Sequence, residues 1–148
     1  MVNREKNSVL ILGASSDIGI NLINKLIKKN YFIIAHYNSN KKKLTRFLND
    51  KVKIIKSNFS LFNDKNLKKL SKEIKKYNVF INNLRLGLIN SKIHKKLKRN
   101  KKEINNRLSL IPANRNAEPS EMANYILFFI SENNSFLTRE TISISGGE

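Results

Sequence analysis

No cysteine occurs in the 148 residues, so neither a disulfide framework nor a thiolate metal site is available. Histidine is scarce as well: His36 and His94 are the two present, far apart in sequence, and no metal site is expected. Acids are few, 11 Asp and Glu against 29 Lys and Arg, for a formal charge of +18. Long apolar runs are missing too, and none approaches the ~20 residues that cross a bilayer. The first eight residues are polar and lack the apolar region of a signal peptide. A soluble cytoplasmic protein without a membrane partner is the expectation. There is no internal repeat and no flexible linker, and the length suits one domain over residues 1–148.

The charge has two readings. It could serve nucleic acid, an anionic surface or an anionic ligand. It could also be compositional drift, because the lysines are spread along the chain together with Asn and Ile, as an AT-biased coding sequence would produce. Lys41–Lys43 and Lys92–Lys102 are denser, but charge clusters alone are weak motifs. The second cluster contains no Phe, Tyr or Trp on which bases could stack. Nucleic acid is therefore not the expected partner.

What is present is an alternation. Ser8–Leu12 and Tyr31–His36 are short apolar runs that read as buried strands. Between them Ile18, Leu22, Ile23, Leu26 and Ile27 recur at helical spacing, with lysines on the other face. Lys41–Leu48 reads as a short basic helix and Val52–Ile55 as a third strand. Leu67, Leu70, Ile74 and Tyr77 mark another amphipathic helix, and Val79–Ile81 a fourth strand. This order predicts an α/β fold with a parallel sheet covered by helices. Ser91–Arg107 reads as one exposed basic helix and Ile111–Pro119 as a loop. Pro119, Ser120 and Glu121 start a helix whose apolar face is Met122–Ile130, and Thr141–Ser145 is a last strand.

The chemistry lies between the first strand and first helix, in Leu12-Gly13-Ala14-Ser15-Ser16-Asp17-Ile18-Gly19. A dinucleotide site needs a tight turn there, backbone close to the pyrophosphate, and a helix start aimed at the anion. Gly13 can supply the turn, Ser15 and Ser16 hydroxyls and amides, and Gly19 close helix packing. The ordinary alternative is a plain strand–helix turn, but the motif sits in the context it requires.

GASSDIG resembles the TGxxxGxG loop of the short-chain dehydrogenase/reductase family, with Leu12 for its threonine and Asp17 for its middle glycine. The second half resembles the same family, in particular its 3-oxoacyl-ACP reductase-like members. Ile111–Ala123 is similar to "IPLGRxGEPEEVA", Leu127–Ser131 to "LFLAS", Phe136–Thr141 to "YITGQT" and Ser145–Gly147 to the final "DGG". The resemblance implies a Rossmann-like doubly wound parallel sheet, reduced in strand number because the chain is short. It also implies a nicotinamide dinucleotide cofactor and a small carbonyl or hydroxyl substrate.

Within that resemblance, cofactor choice is read after the second strand. His36-Tyr37-Asn38-Ser39-Asn40 contains no acid to hold the ribose hydroxyls of NAD, and Lys41-Lys42-Lys43 follow. NADP(H) is expected over NAD(H), with Gly13, Ser15, Ser16, Asp17, Ile18, Gly19, Asn38, Ser39 and Lys41 as binding residues. Asn58-Phe59-Ser60 resembles the family's adenine-contacting Asp-Val-Ser/Thr segment, which adds Asn58 and Phe59.

The family's catalytic serine and YxxxK helix have no counterpart of the right context. Two alignments are open for the middle. Asn82-Asn83-Leu84-Arg85 resembles a degraded NNAG. Alternatively Asn82–Ser91 resembles the later "VNxIxPGxIxT" strand and loop, with Gly87 as the glycine and Ser91 as the threonine. The second accounts for more residues and implies an internal deletion. Tyr37 and Lys41 satisfy YxxxK by spacing, but they follow the second strand, where the adenosine end of the cofactor binds. Little or no catalysis is expected. Loss of strands also leaves an edge, which predicts a homo-oligomer.

Overall fold

The structure, a computed structural model, describes residues 8–56, 83–131, 134, 136 and 141–148. The expected helix over Leu67–Tyr77, the strand Val79–Ile81 and the Asn58–Ser60 segment, Asn58 and Phe59 included, lie outside the described residues. The chain divides into two compact units, Met1–Phe80 and Ile81–Glu148.

In the first unit, β1 (Ser8–Ile11), β2 (Phe32–Tyr37) and β3 (Val52–Lys56) form a parallel sheet with β2 in the middle. The apolar run of β2 is continuous because that strand is buried on both sides: Ile33, Ile34 and Ala35 are at most 1% exposed. Helix α1 (Asp17–Lys28) crosses between β1 and β2. Its buried residues, Gly19, Leu22, Ile23 and Leu26, share one stripe at helical spacing. Burying a side chain such as Leu26 contributes about 1.5–3 kcal/mol. Asn30, at φ 65°, turns the chain out of the helix. Helix α2 (Lys42–Thr45) is shorter than the basic helix expected over Lys41–Leu48.

In the second unit, β4 (Asn83–Leu86) pairs in parallel with β5 (Thr141–Ile144). The single helix expected over Ser91–Arg107 is instead two, α3 (Ile93–Lys96) and α4 (Lys101–Leu108). The break follows from two local features. Lys98 adopts φ 53°, which no helix tolerates. Asn100 then caps α4, its Oδ1 accepting from the Glu103 amide (2.8 Å) while Glu103 accepts from the Asn100 amide (3.0 Å). Ile93 and Leu97 are both more than half exposed, as a basic surface segment with sparse apolar residues implies.

Helix α5 (Pro119–Phe129) starts at a proline, whose missing amide costs nothing in the first turn. Glu121 secures that start: it accepts from the Glu118 amide (2.7 Å) and takes both arms of Arg115 (2.7 and 2.8 Å). These contacts, Arg115 foremost, hold its carboxyl down at about 2. A depressed carboxylate stabilises the fold above its ordinary range and loses that effect as pH falls through its folded value. Carboxyl NMR is therefore expected to find the Glu121 midpoint at about 2, and Arg115→Gln to raise it toward the ordinary ~4.3 of a glutamate. No helix among the described residues is long and apolar enough to cross a membrane.

Candidate functional site

Because β1 and β2 run parallel, their C-terminal ends open on the same edge of the sheet, the edge where ligands of such sheets bind. The loop over residues 12–16 leaves β1 there, and residues 38–41 leave β2.

The first loop is built by a few local contacts. Gly13 has φ +69°, the left-handed region that favours glycine, and a Cβ placed on it would meet nothing within 4 Å. The Ser16 amide donates to the Gly13 carbonyl (2.9 Å), which closes the turn. Ser16 then caps α1, its Oγ accepting from the Gly19 amide (3.1 Å). Gly19 is buried, and its Cα lies so close to the loop that a Cβ would stand 2.6 Å from the Ala14 carbonyl oxygen. Ser15 is half-buried and Ser16 exposed. The first turn of a helix carries amides without intrahelical partners and a partial positive charge.

Asp17 opposes an incoming anion, since its carboxylate sits on the first helical residue. Lys43 offsets it: Nζ lies 3.2 Å from Asp17 Oδ1, with the two side chains about a third exposed. From the three-lysine run, Lys41 is the residue expected from sequence. The structure brings Lys43 to the helix start, whereas Lys41 is exposed and its side chain makes no hydrogen bond or ion pair among the described residues. Spacing along the chain could not separate them, because the partner is 26 residues away. Asn38 and Ser39 are exposed at the same sheet edge, and Ile18 lies in the first turn of α1. Open space over Gly13, helix-start amides, serine hydroxyls and a lysine together fit the phosphates of a dinucleotide.

His36 also belongs to this site, which the sequence reading did not anticipate. Its Nδ1 accepts from the Gly13 amide (3.3 Å) and its carbonyl from the Ala14 amide (2.8 Å). The spaced pair Tyr37 and Lys41 is not joined: Tyr37 is 7% exposed within β2, Lys41 is exposed, and no hydrogen bond links them. In the second unit, a cleft of about 400 Å³ has Leu88, Leu97 and Ile104 as apolar wall and Lys98, Arg99 and Arg107 as cationic wall. Arg107 is already engaged there by Glu148. The described residues contain no His/Cys/Asp/Glu group that could hold a metal ion.

Comparison with known proteins adds three kinds of finding. A family model described as Enoyl-(Acyl carrier protein) reductase matches residues 64–148. A 3-oxoacyl-[acyl-carrier-protein] reductase of Chlamydia trachomatis is 35% identical over 80 residues, 54% of this chain and 32% of that protein. The chain thus spans about a third of the length of that curated relative. Among solved structures, 4-hydroxyisoleucine dehydrogenase complexed with NADH superposes with a TM-score of 0.76 at 14% identity, covering 96% of this chain and 98% of that one. A Serratia marcescens short-chain dehydrogenase/reductase variant gives 0.71 at 10% identity, covering 97% and 98%. An NADPH-dependent reductase involved in bacilysin biosynthesis gives 0.69 at 15% identity, also covering 97% and 98%. At such identities the likeness shows the fold, a Rossmann-type α/β arrangement with a parallel sheet.

Proposed function

The chain belongs to the short-chain dehydrogenase/reductase family, and from that premise we propose that it binds a nicotinamide dinucleotide, NADP(H) in preference to NAD(H), at the loop Gly13–Gly19. The observation that carries this is the loop itself, with Gly13 left-handed beneath open space and a capped helix start behind it. The bound cofactor would supply a hydride; the chain supplies its seat. Gly13, Ser15, Ser16, Ile18 and Gly19 shape that seat. Asn38 and Ser39, with no acid among them, leave room for a 2′-phosphate, and Lys43 adds a cation in place of the expected Lys41. Asn58 and Phe59 complete the adenosine end in this reading.

Catalysis is weak or absent in the same proposal. The parallel pairing of β4 with β5 supports the alignment in which Asn82–Ser91 is the family's later strand and loop. Under that alignment the stretch with the catalytic serine, tyrosine and lysine is missing. The buried Tyr37 and exposed Lys41 make a poor replacement. A small carbonyl or hydroxyl compound is the substrate class if turnover survives, and a homo-oligomer is the proposed assembly.

The test is a pair of titrations with NADPH and NADH on the whole chain and on Lys43→Gln. NADPH is expected to bind roughly tenfold or more tightly than NADH, since a hydrogen bond to a charged group contributes about 1.5–3 kcal/mol. Lys43→Gln is expected to remove most of that difference, and Asp17→Asn to tighten both ligands. Equal affinities in the unsubstituted chain would refute the NADP preference.

A further inference from the structure

His36 is the one buried polar or charged side chain among the described residues, 4% exposed. It supports two consecutive amides of the glycine loop by different means. The Ala14 amide donates to its backbone carbonyl (2.8 Å), a contact any residue could make. The Gly13 amide donates to ring atom Nδ1 (3.3 Å), a contact only an acceptor side chain can make. Gly13 is the residue held at φ +69°, so the ring braces the point where the backbone is least ordinary.

An imidazole nitrogen accepts only without its proton. With Nδ1 accepting, the ring proton sits on Nε2; in the imidazolium both nitrogens are donors. Protonation would set an N–H against the Gly13 N–H and break the brace. His36 stands opposite Ile55 of β3, and β1 carries no titratable residue. Among the described residues, the titratable groups on the other packed elements are Asp17, Lys25 and Lys28 of α1, Lys42 and Lys43 of α2, Lys53 and Lys56 of β3, and Tyr37 beside it. Of the charged ones, Asp17 and Lys43 are paired with each other.

We propose that His36 is a positioning residue that holds the glycine loop in its phosphate-receiving shape only while its ring is neutral, so that dinucleotide binding weakens on acidification. The proposal rests on the reading that this loop takes a dinucleotide. The sign is fixed by the contact: the neutral ring, present at higher pH, accepts from Gly13, and the cation, present at lower pH, cannot.

The experiment titrates NADP⁺, which survives acid, into the unsubstituted chain, His36→Asn and His36→Leu at several values from about pH 8 to about pH 5.5. Asn offers an oxygen near the Nδ1 position that does not titrate; Leu offers none. The ligand's own phosphate titration is common to all three chains, so the difference between profiles is the readout. Binding to the unsubstituted chain is expected to fall with acid by roughly fivefold more than binding to His36→Asn, about one hydrogen bond. His36→Leu is expected to bind more weakly than His36→Asn throughout, with the same shallow profile. Parallel profiles for the unsubstituted chain and His36→Asn would overturn the proposal. The Gly13 amide resonance of the ligand-free chain reads the brace without any dinucleotide. It is expected to move on acidification in the unsubstituted chain and to stay still in His36→Asn. A moving resonance without NADP⁺ saturation would refute the dinucleotide reading alone, and a still one would overturn the brace.

Discussion

Gly19→Val is expected to abolish measurable dinucleotide binding and to destabilise the first unit by about 3 kcal/mol or more. The reason is geometric. A Cβ at residue 19 would stand 2.6 Å from the Ala14 oxygen and 2.7 Å from its carbonyl carbon and Cα. All three are backbone atoms, so no rotamer change relieves the contact. Ala14 cannot retreat easily, being 0% exposed and tied through its amide to His36. The helix start must therefore move away from the loop, and with it the Ser16 cap and the first-turn amides. Overpacking by a few methylenes costs about 1–3 kcal/mol even where side chains can adjust; here the backbone must shift. Against a total stability of about 5–15 kcal/mol, that loss is large. Urea denaturation reads the stability and an NADPH titration reads the site. An unchanged midpoint would mean that the helix does not approach the loop this closely.

The second large effect is expected at Gly87, in the other unit. A Cβ there would lie 2.6 Å from Ser145 Cα and 2.9 Å from its carbonyl oxygen. Gly87 also donates to the Ile144 carbonyl (3.0 Å), continuing the β4–β5 ladder by one residue. Gly87→Ala must pry that junction open. Leu88 and Ile89, at 3% and 7% exposure, follow immediately and would lose their packing. Destabilisation of about 2–4 kcal/mol is expected, comparable to a severe core substitution. Hydrogen exchange should show protection lost at the Gly87 amide and along Thr141–Ile144. Retained protection in the variant would show that the two strands tolerate a wider spacing.

Several of these features could be read from the chain alone, for identifiable reasons. The glycine loop was legible because its turn chemistry is local: Gly13, the capping Ser16 and the tight Gly19 lie within seven residues. The strands β1 and β2 are legible because a parallel sheet favours continuous apolar runs, β3 because Val52, Ile54 and Ile55 keep enough of that character around the exposed Lys53, and α1 because one stripe of it is apolar. The break between α3 and α4 was half legible. Asn100 and Glu103 form a capping pair at the spacing that marks a helix start, but the even spread of lysines from residue 92 to 102 concealed it. The left-handed turn at Lys98 has no signature in its side chain.

The tertiary partners were not legible. Lys41, Lys42 and Lys43 are chemically alike, and only the packing of α2 near the start of α1 selects Lys43 for Asp17. The sequence marks His36 only as an isolated histidine with no metal site around it; its bond to Gly13 spans 23 residues and depends on strand register. Gly87 was placed by resemblance to a family loop, while the contact that requires a glycine there, Ser145, comes from the far end of the unit.

Calorimetric titration of NADPH into the whole chain, with Gly19→Val alongside, is the most direct test of the account. Saturation at a single site in the unsubstituted chain, lost in the variant, is the expected result. Absence of saturation into the millimolar range, or saturation indifferent to Gly19, would contradict the assignment of a dinucleotide to this loop.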